Sequence, residues 1–251
     1  MNIQSFVRGV IRLNQRISER FQHSFPHASI SPFNTYELII RDAVHAVHDG
    51  GVIVDIGGGT SCVFEAYMNT DACFIALDIS RDELKDNPSR NRIVADASGI
   101  LPFADSSIRV ITSRTVLEHV PDVASFVKES HRVLSPGGMS VHLIPCRYAL
   151  FAVIARILPF QFSTKLLHFF RPQSIGIVGF PVYYQDCYDS RLAMLHNQCG
   201  FSDYRSVATY FQSDYYDACF PAFAVSVMYE AVVAKLARRN LAAYLVVVAT
   251  K

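Results

Sequence analysis

Apolar residues recur along this chain with two different periods. Near the amino terminus they recur every three or four residues, which is the period of an amphipathic helix: Phe6, Val10, Leu13, Ile17 and Phe21. A second row on the same helix is basic: Arg8, Arg12, Arg16 and Arg20. After a break near Pro26 and Pro32, the pattern predicts a second helix over Thr35–His48, with these residues inward: Leu38, Ile39, Val44 and Val47.

From residue 52 onward, short apolar runs alternate with helical patterns. The predicted strands are Val52–Ile56, Cys73–Asp78, Arg92–Asp96, Val110–Ser113, Met139–Pro145, Phe201–Tyr210 and Leu241–Thr250. The predicted helices are Cys62–Met68, Arg81–Leu84, Asp122–Leu134 and Ser190–Gln198. Asp122 is a suitable N-cap, and Gly137-Gly138 should stop the helix that Asp122 begins. Such alternation predicts an α/β protein with a doubly wound parallel sheet.

Two stretches interrupt this rhythm. Residues 147–186 are rich in aromatic and apolar side chains and are too long for a plain connection, which predicts a lid or substrate-binding insertion. Residues 211–240 form a second insertion before the last strand. The predicted organisation is an N-terminal helical cap (1–48), a ligand-binding core (49–146), the lid (147–186) and the C-terminal part of the sheet (187–251).

Composition argues against several classes of function. The chain has 251 residues with 23 basic and 22 acidic side chains, and a nucleic-acid-binding protein normally has a basic excess. No uncharged apolar run reaches the ~18 residues of a spanning helix, and the charged amino terminus lacks a signal sequence. We therefore expect a cytoplasmic protein. The six cysteines form no C-x-x-C pair and have no zinc spacing, so we expect buried thiols without disulfides or metal.

The stretch VIVDIGGGTS, residues 52–61, ends an apolar strand with an acid and three glycines. A dinucleotide-binding G-x-G-x-x-G loop would need a glycine where Cys62 stands, so that pattern fails. The remaining pattern is acid-x-G-x-G, with Asp55 first and Gly57 and Gly59 as its glycines. Such a turn suits an amino-acid tail: Asp55 serves the ammonium group, and loop amides with Thr60 or Ser61 serve the carboxylate.

Two further acids end the next two predicted strands. Asp78, in FIALDIS, can accept hydrogen bonds from both hydroxyls of a ribose. Asp96, in RIVADAS, can accept one from the exocyclic amine of a purine, while Ala97 offers a backbone amide. Asp96 can equally cap the turn that follows it. An amino-acid tail, a ribose and an adenine in this order describe S-adenosylmethionine.

At these residues the chain resembles the class I S-adenosylmethionine-dependent methyltransferases, in particular the branch that modifies quinone precursors and other small molecules. The likeness also rests on three further stretches: VADASGILPFADSSIRVITSRTVLEHVPD, HRVLSPGG and LAAYLVVVATK. It covers residues 45–145, and more weakly 186–251. The resemblance implies a Rossmann-like sheet of seven strands with the last strand antiparallel. It also implies S-adenosylmethionine as the cofactor and S-adenosylhomocysteine as its product, with Ile79 and Ser113 among the cofactor-binding residues.

The chain departs from the family pattern in two places. Ser61 stands where the loop has its third glycine, and Arg109 stands where the family has an acid before the fourth strand. Some relatives bind a divalent metal through two acids and a histidine. Glu118 and His119 match the last two of these, but Thr115 falls at the first acid and cannot replace a carboxylate. The resemblance therefore implies no required metal here.

Transfer of a methyl group to O, N or C of a small molecule is the predicted reaction. A hydroxyl or carbon acceptor would need a base, for which His119, Tyr183 and Tyr184 are the candidates. Arg147 and Tyr148 are predicted beside the two tyrosines at the mouth of the pocket. Alternatives stay open: a lipid or quinone acceptor at a membrane surface, a non-catalytic S-adenosylmethionine-binding protein, or an NAD-dependent oxidoreductase. The basic N-terminal helix is either a lid or a membrane contact.

Overall fold

The computed structural model describes residues 3–25, 31–47, 50–62, 71–158, 162, 165 and 180–251. The strands are β1 (Val52–Ile56), β2 (Cys73–Asp78), β3 (Asn91–Val94), β4 (Ile108–Arg114), β5 (Leu134–Pro145), β6 (Asp203–Thr209) and β7 (Tyr244–Thr250). The α-helices are α1 (Ile3–Gln22), α2 (Pro32–His45), α3 (Arg81–Lys85), α4 (Val123–Val133), α5 (Leu150–Ile157), α6 (Asp189–Gln198) and α7 (Phe220–Lys235). Short 3₁₀ helices cover Leu117–His119, Ser213–Tyr216 and Arg239–Leu241.

The strands form one seven-stranded sheet in the order β3-β2-β1-β4-β5-β7-β6. Strand β1 is parallel to β2 and to β4, and the pairs β2–β3 and β4–β5 are also parallel. Strand β7 runs antiparallel to β5: the Gly137 amide donates to the Lys251 carbonyl over 3.0 Å, and the Cys146 amide donates to the Ala243 carbonyl over 2.8 Å. The predicted Rossmann-like sheet with an antiparallel last strand is confirmed.

The centre of the sheet is apolar because both of its faces are covered. In β1 and in β4, two successive residues point to opposite faces of the sheet, and all are fully buried: Ile53 and Val54 in β1, Val110 and Ile111 in β4. Strands covered on both faces read as continuous apolar runs rather than alternating ones. This is why the bounds predicted for β1 and β2 match the structure residue for residue.

Strand β5 is longer than predicted. Helix α4 ends at Val133 and β5 begins at Leu134, so Gly137 and Gly138 lie inside the strand, and their predicted role as a helix stop is wrong. A Cβ on Gly138 would come within 2.8 Å of the Ser135 carbonyl, so glycine permits a close approach of the backbone there. At the other end of α4, the Asp122 side chain accepts a hydrogen bond from the Ser125 amide and caps the helix as predicted.

The residues that helix α2 buries against the core differ in part from the predicted ones. It begins at Pro32, a residue whose fixed φ suits the first helical position. Its buried residues are Pro32, Tyr36, Ile40, Ala43 and Val44, whereas Leu38 is exposed. The prediction of Leu38 as a core residue is therefore wrong. The helix turns Tyr36 inward instead, because the Tyr36 hydroxyl forms a hydrogen bond with the Thr112 hydroxyl of β4.

Contacts divide the chain into two compact units. The helical unit comprises Met1–Ser31, Cys146–Pro181 and Ala208–Tyr244, and the sheet unit comprises Pro32–Pro145, Val182–Val207 and Leu245–Lys251. Helix α2 belongs to the sheet unit, whereas the predicted cap over residues 1–48 includes it. The second insertion, 211–240, contains α7, which periodicity did not predict. The cap and lid roles stay predictions, and most of the predicted helix Cys62–Met68 lies outside the described residues.

The sequence also leads to expectations about the cysteines, metal sites and membrane spans. The six cysteines are thiols, and Cys219 is exposed rather than buried as predicted. Among the described residues, no group of three or more His, Cys, Asp or Glu side chains is arranged to hold a metal ion. In the same residues, every helix is too short or too polar to cross a membrane.

Candidate functional site

The glycine loop follows β1 in a conformation that requires glycine. Gly57 has φ +71° and Gly59 has φ +49°, both in the left-handed region that other residues rarely adopt. A Cβ on Gly57 would lie 2.3 Å from Cγ2 of Val116. The amides of Gly57 and Gly58 both donate to the Leu77 carbonyl, over 2.7 and 3.2 Å, which ties the loop to the end of β2.

A buried asparagine that the sequence analysis missed holds this loop in place. The Asn87 side-chain amide donates to three carbonyls of the loop: Gly58 at 3.0 Å, Gly59 at 2.9 Å and Ser61 at 3.1 Å. Its carbonyl oxygen accepts from the Ser89 amide over 2.9 Å. The Asn-Pro pair at residues 87–88 marks a turn in the sequence, but nothing there shows that the side chain reaches back to the loop.

Asp78 ends β2 directly beside the glycine loop. Its Oδ2 accepts from the Gly59 amide over 2.9 Å, and its Oδ1 accepts from the Ser80 amide over 2.8 Å. A carboxylate offers about four lone-pair positions, so about two remain after these bonds. The side chain of Ile79, the next residue, is exposed. The geometry therefore brings the predicted ribose acid and the predicted tail-binding loop together.

Asp55 lies buried near the end of β1, next to a tyrosine. Its backbone pairs with Thr112 of β4, and the Thr112 hydroxyl bonds the fully buried hydroxyl of Tyr36. Burial raises the pKa of Tyr36 well above its ordinary value, and the negative charge of Asp55 raises it further. Tyr36 therefore keeps its proton beside the Asp55 carboxylate. The sequence analysis did not connect Tyr36 with this site.

Asp96 and Ala97 follow β3, and the structure shows the simpler of the two roles considered for Asp96. Its Oδ1 accepts from the Ser98 amide over 2.8 Å, and its carbonyl accepts from the Gly99 amide over 3.2 Å. Asp96 thus caps a turn. Its side chain is exposed and Ala97 is half-buried, and their contact with a purine stays a prediction.

Ser113, near the end of β4, turns its side chain away from the surface. It is fully buried, and its Oγ is hydrogen-bonded to Nδ1 of His142 on β5 over 2.8 Å. Burial, followed by the neighbouring charge of His196, lowers the pKa of His142 to about 3, so the imidazole is neutral at ordinary pH. Any contact between Ser113 and a cofactor must therefore use its backbone, as the resemblance implies.

The chain after β4 turns sharply and returns toward the glycine loop. Thr115 has φ +56°, an unusual conformation for a β-branched residue. The turn places Val116 against Gly57, and the Arg114 guanidinium donates to the Ser61 hydroxyl over 3.3 Å. The hydroxyl-bearing residues Thr60 and Ser61 are exposed on the loop. Arg114 is thus a further residue of this edge that the sequence analysis did not select.

The segment Leu117–His119 gathers the predicted base candidates. The Glu118 carbonyl accepts hydrogen bonds from the Tyr183 amide over 2.7 Å and from the Tyr184 amide over 3.1 Å. Both tyrosines, distant in sequence, therefore lie next to the residue that precedes His119. Tyr183 is about half exposed, whereas Tyr184 is buried and has φ +51°. Tyr183 is the better placed of the two to meet a ligand.

The side chain of Glu118 is a buried carboxyl group with an unusual environment. It is 5% exposed, and its Oε2 has no hydrogen-bond partner among the described residues. Burial raises the pKa of Glu118 from its ordinary value of 4.5 to about 8. The group is therefore largely protonated at neutral pH. The LEHV motif drew attention to Glu118 only as a potential metal ligand, and burial could not be seen from it.

Part of this chain is similar to a known protein domain. The sequence profile of the methyltransferase domain matches residues 54–142. An uncharacterized methyltransferase of Mycobacteroides abscessus is 28% identical over 149 residues, covering 52% of this chain and 58% of that protein. Another, of Mycobacterium sp. strain KMS, is 31% identical over 138 residues, covering 49% and 55%. The chain thus spans little more than half the length of these curated relatives.

Solved structures share the fold at low sequence identity. Phosphoethanolamine N-methyltransferase 2 of Haemonchus contortus, solved with S-adenosyl-L-methionine, superposes with a TM-score of 0.54 at 14% identity, covering 86% of this chain and 52% of that one. A possible histamine N-methyltransferase of Thermotoga maritima superposes with a TM-score of 0.52 at 17% identity, covering 96% and 99%. At such identities the likeness concerns the fold alone.

Residues 54–142 are therefore similar to the methyltransferase domain. The resemblance to the class I S-adenosylmethionine-dependent methyltransferases, stated from the glycine loop and the two acids that follow it, is confirmed. The cofactor of that family is S-adenosylmethionine, as the order of loop, ribose acid and purine acid predicted.

Proposed function

We propose that this protein transfers the methyl group of S-adenosylmethionine to an oxygen, nitrogen or carbon atom of a small-molecule acceptor. The observation that carries the proposal is the hydrogen bond from the Gly59 amide to the Asp78 carboxylate. It unites the amino-acid-binding loop and the ribose acid in one rigid edge of the sheet. A dinucleotide-binding role has weaker support, because Cys62 replaces the glycine which that loop needs.

The residues at this edge fit the cofactor. The backbone of Gly57 and Gly59 adopts conformations open to close approach, and Asn87 fixes the loop from its buried side. We assign the amino-acid tail to this loop, with Asp55 near its ammonium group and Thr60 or Ser61 near its carboxylate. We assign the ribose to Asp78, whose free lone pairs can accept both hydroxyls. Ile79, Asp96, Ala97 and the Ser113 backbone complete the assignment.

The cofactor supplies a sulfonium-activated methyl group, so the protein's own task is to position the acceptor, exclude water and manage one proton. An amine acceptor can react in its neutral form without a base. A hydroxyl or carbon acceptor must lose a proton, and we assign this step to His119, with Tyr183 and Tyr184 beside it. Histidine suits the role because its ordinary pKa lies close to neutral pH.

Calorimetric titration of the purified protein with S-adenosylmethionine, S-adenosylhomocysteine and NADH tests the proposal. We expect micromolar binding of the first two ligands and none of NADH. Binding of NADH alone would overturn the assignment in favour of an oxidoreductase. Binding of S-adenosylmethionine without turnover in a screen of phenols, amines and lipids would instead support a non-catalytic binding protein.

A further inference from the structure

Helix α1 exposes its apolar side. Val10, Leu13 and Ile17 are 43%, 59% and 40% exposed, and their spacing of three and four residues places them in one stripe along the helix. A surface helix of a globular protein normally turns such a stripe toward the core. The amphipathic pattern of α1 is present as predicted, but within the described residues its apolar stripe faces outward.

Polar side chains of α1 form hydrogen bonds with the rest of the helical unit. The Asn14 side chain accepts from the Phe220 amide over 3.0 Å. The Gln15 side chain donates to the Asp217 carboxylate over 3.3 Å, and the buried Ser18 hydroxyl donates to the Asp217 carbonyl over 3.2 Å. These bonds hold α1 at the start of α7. The ring of Phe21 also packs edge-on against Phe220, with centroids 5.6 Å apart, whereas Val10, Leu13 and Ile17 are left exposed.

Helix α7 also has an exposed apolar stripe, on the side away from its buried residues Phe223, Val227 and Val233. Four side chains form this stripe, and the last of them lies one residue past the helix end. They are Val225, Met228, Val232 and Leu236, which are 66%, 58%, 57% and 59% exposed. The acid of α7 faces inward instead. The buried Glu230 carboxylate accepts from the Ser226 hydroxyl over 3.1 Å and from the Gln212 amide over 3.1 Å. Two helices in mutual contact thus each expose an apolar stripe.

The charges beside these stripes have one predominant sign. At about 100° per residue, Arg16 and Arg20 follow the apolar stripe of α1 on the side away from Asn14 and Ser18. Arg12, Arg16 and Arg20 are exposed, as are three basic residues at the end of α7: Lys235, Arg238 and Arg239. Between Ala218 and Lys251 the sole acid is Glu230, which is buried.

We propose that this surface, the apolar stripes of α1 and α7 with their flanking basic residues, docks on a lipid bilayer that contains anionic phospholipid. An amphipathic helix with arginines beside its apolar stripe lies in the plane of the bilayer surface, where apolar side chains enter the acyl boundary and basic groups meet phosphates. A second copy of the chain fits less well. A two-fold dimer through this surface would place the arginine row of α1 against the same surface of its partner.

Co-sedimentation of the full chain with phosphatidylcholine vesicles, with and without phosphatidylglycerol, tests the proposal. We expect binding to the anionic vesicles and little to the neutral ones. Met228→Gln should lower the apparent partition coefficient about tenfold, since a polar side chain loses the gain from burial in the acyl boundary. Arg16→Gln combined with Arg20→Gln should lower it about tenfold or more, since these two basic residues lie beside the apolar stripe and would meet the lipid phosphates.

Matched controls in the sheet unit sharpen the test. Met194→Gln and Arg90→Gln change exposed residues of the same types and should leave vesicle binding unchanged. Equal loss of vesicle binding in the control and test variants would overturn the proposal. Equal binding to vesicles with and without phosphatidylglycerol would do the same. The absence of vesicle binding would also overturn the proposal, whether or not sedimentation velocity shows a dimer that Met228→Gln dissociates. The assay contains no cofactor, so its outcome is independent of the proposed methyl transfer.

Discussion

The Asp78 carboxylate accepts a hydrogen bond from the Gly59 amide over 2.9 Å. One side chain therefore both fixes the glycine loop and carries the lone pairs assigned to the ribose. We expect Asp78→Ala to weaken S-adenosylmethionine binding more than tenfold, measured by calorimetry. Asp203→Ala, which removes an exposed acid of β6, is the control and should change affinity little. Unchanged affinity in Asp78→Ala would show that the ribose assignment is wrong.

Two glycines separate the effect of backbone conformation from that of crowding. Gly57 and Gly137 have nearly the same φ, +71° and +73°, but a Cβ on Gly57 would meet Val116 at 2.3 Å, whereas nothing lies within 4 Å of a Cβ on Gly137. Gly137→Ala should therefore cost only the conformational penalty of about 1–2 kcal/mol.

Gly57→Ala should cost more than Gly137→Ala in denaturant unfolding, because the added Cβ also displaces Val116. It should reduce S-adenosylmethionine affinity as well, which Gly137→Ala should leave unchanged. Combining Gly57→Ala with Val116→Ala should recover part of the lost stability by removing the clash. Equal unfolding free energies for the two single variants would contradict this account of the loop.

The Asn87 side-chain amide bonds to the buried side of the glycine loop, so its loss should weaken both stability and cofactor binding. Asn87→Ala leaves three loop carbonyls without this donor, and an unsatisfied buried group costs about 1–3 kcal/mol. We expect a lower unfolding free energy and weaker cofactor binding. Asn197→Ala, at an exposed position of α6, serves as the control. Full cofactor affinity in a folded Asn87→Ala protein would argue against its role in shaping the site.

Glu118 should make stability fall as pH rises. Burial raises the pKa of Glu118 to about 8, so between pH 4.5 and about 8 the folded protein keeps a proton that the unfolded chain releases. The unfolding free energy should decline across this window by at most about 1.4 kcal/mol per pH unit from this group. Glu118→Gln cannot titrate, so it should lose this component of the slope.

Glu230 provides an internal comparison for that measurement. Burial raises its pKa to about 7, so Glu230→Gln should remove its contribution only between pH 4.5 and about 7. The pH dependence of the unfolding free energy should therefore differ most between the two variants from pH 7 to 8. Urea unfolding curves recorded across pH measure it. A Glu118→Gln protein with the slope of the parent would show that Glu118 is ionised in the folded state.

The assigned base should affect turnover and not cofactor binding. With a hydroxyl acceptor, His119→Gln should lower kcat by about 10²–10⁴-fold and leave the affinity for S-adenosylmethionine unchanged. It should also abolish the acidic limb of the pH profile, which reports protonation of the base. His45→Gln, at the end of α2, is the matched control. Full activity in His119→Gln would transfer the role to Tyr183 or Tyr184, for which Phe variants provide the corresponding test.

The sequence by itself determined the fold class and the cofactor. Continuous apolar runs marked β1 and β2 to the residue because strands buried on both faces tolerate few polar side chains. An acid near the end of β1, the glycines after it, and acids at or just after the ends of β2 and β3 indicated S-adenosylmethionine, and three further stretches added to the resemblance to the methyltransferases. These signals are local, since each lies within a few residues of a strand end.

The tertiary structure alone decided which distant residues support those signals. The reach of Asn87 to the glycine loop, the bond from Tyr36 to Thr112 and the approach of Tyr183 to Glu118 depend on chain segments brought together by folding. Periodicity shows that α1 has an apolar stripe but not which way it faces, because the partner of a helix is chosen by the whole packing. That choice turned Leu13 and Val232 toward solvent and Glu230 inward.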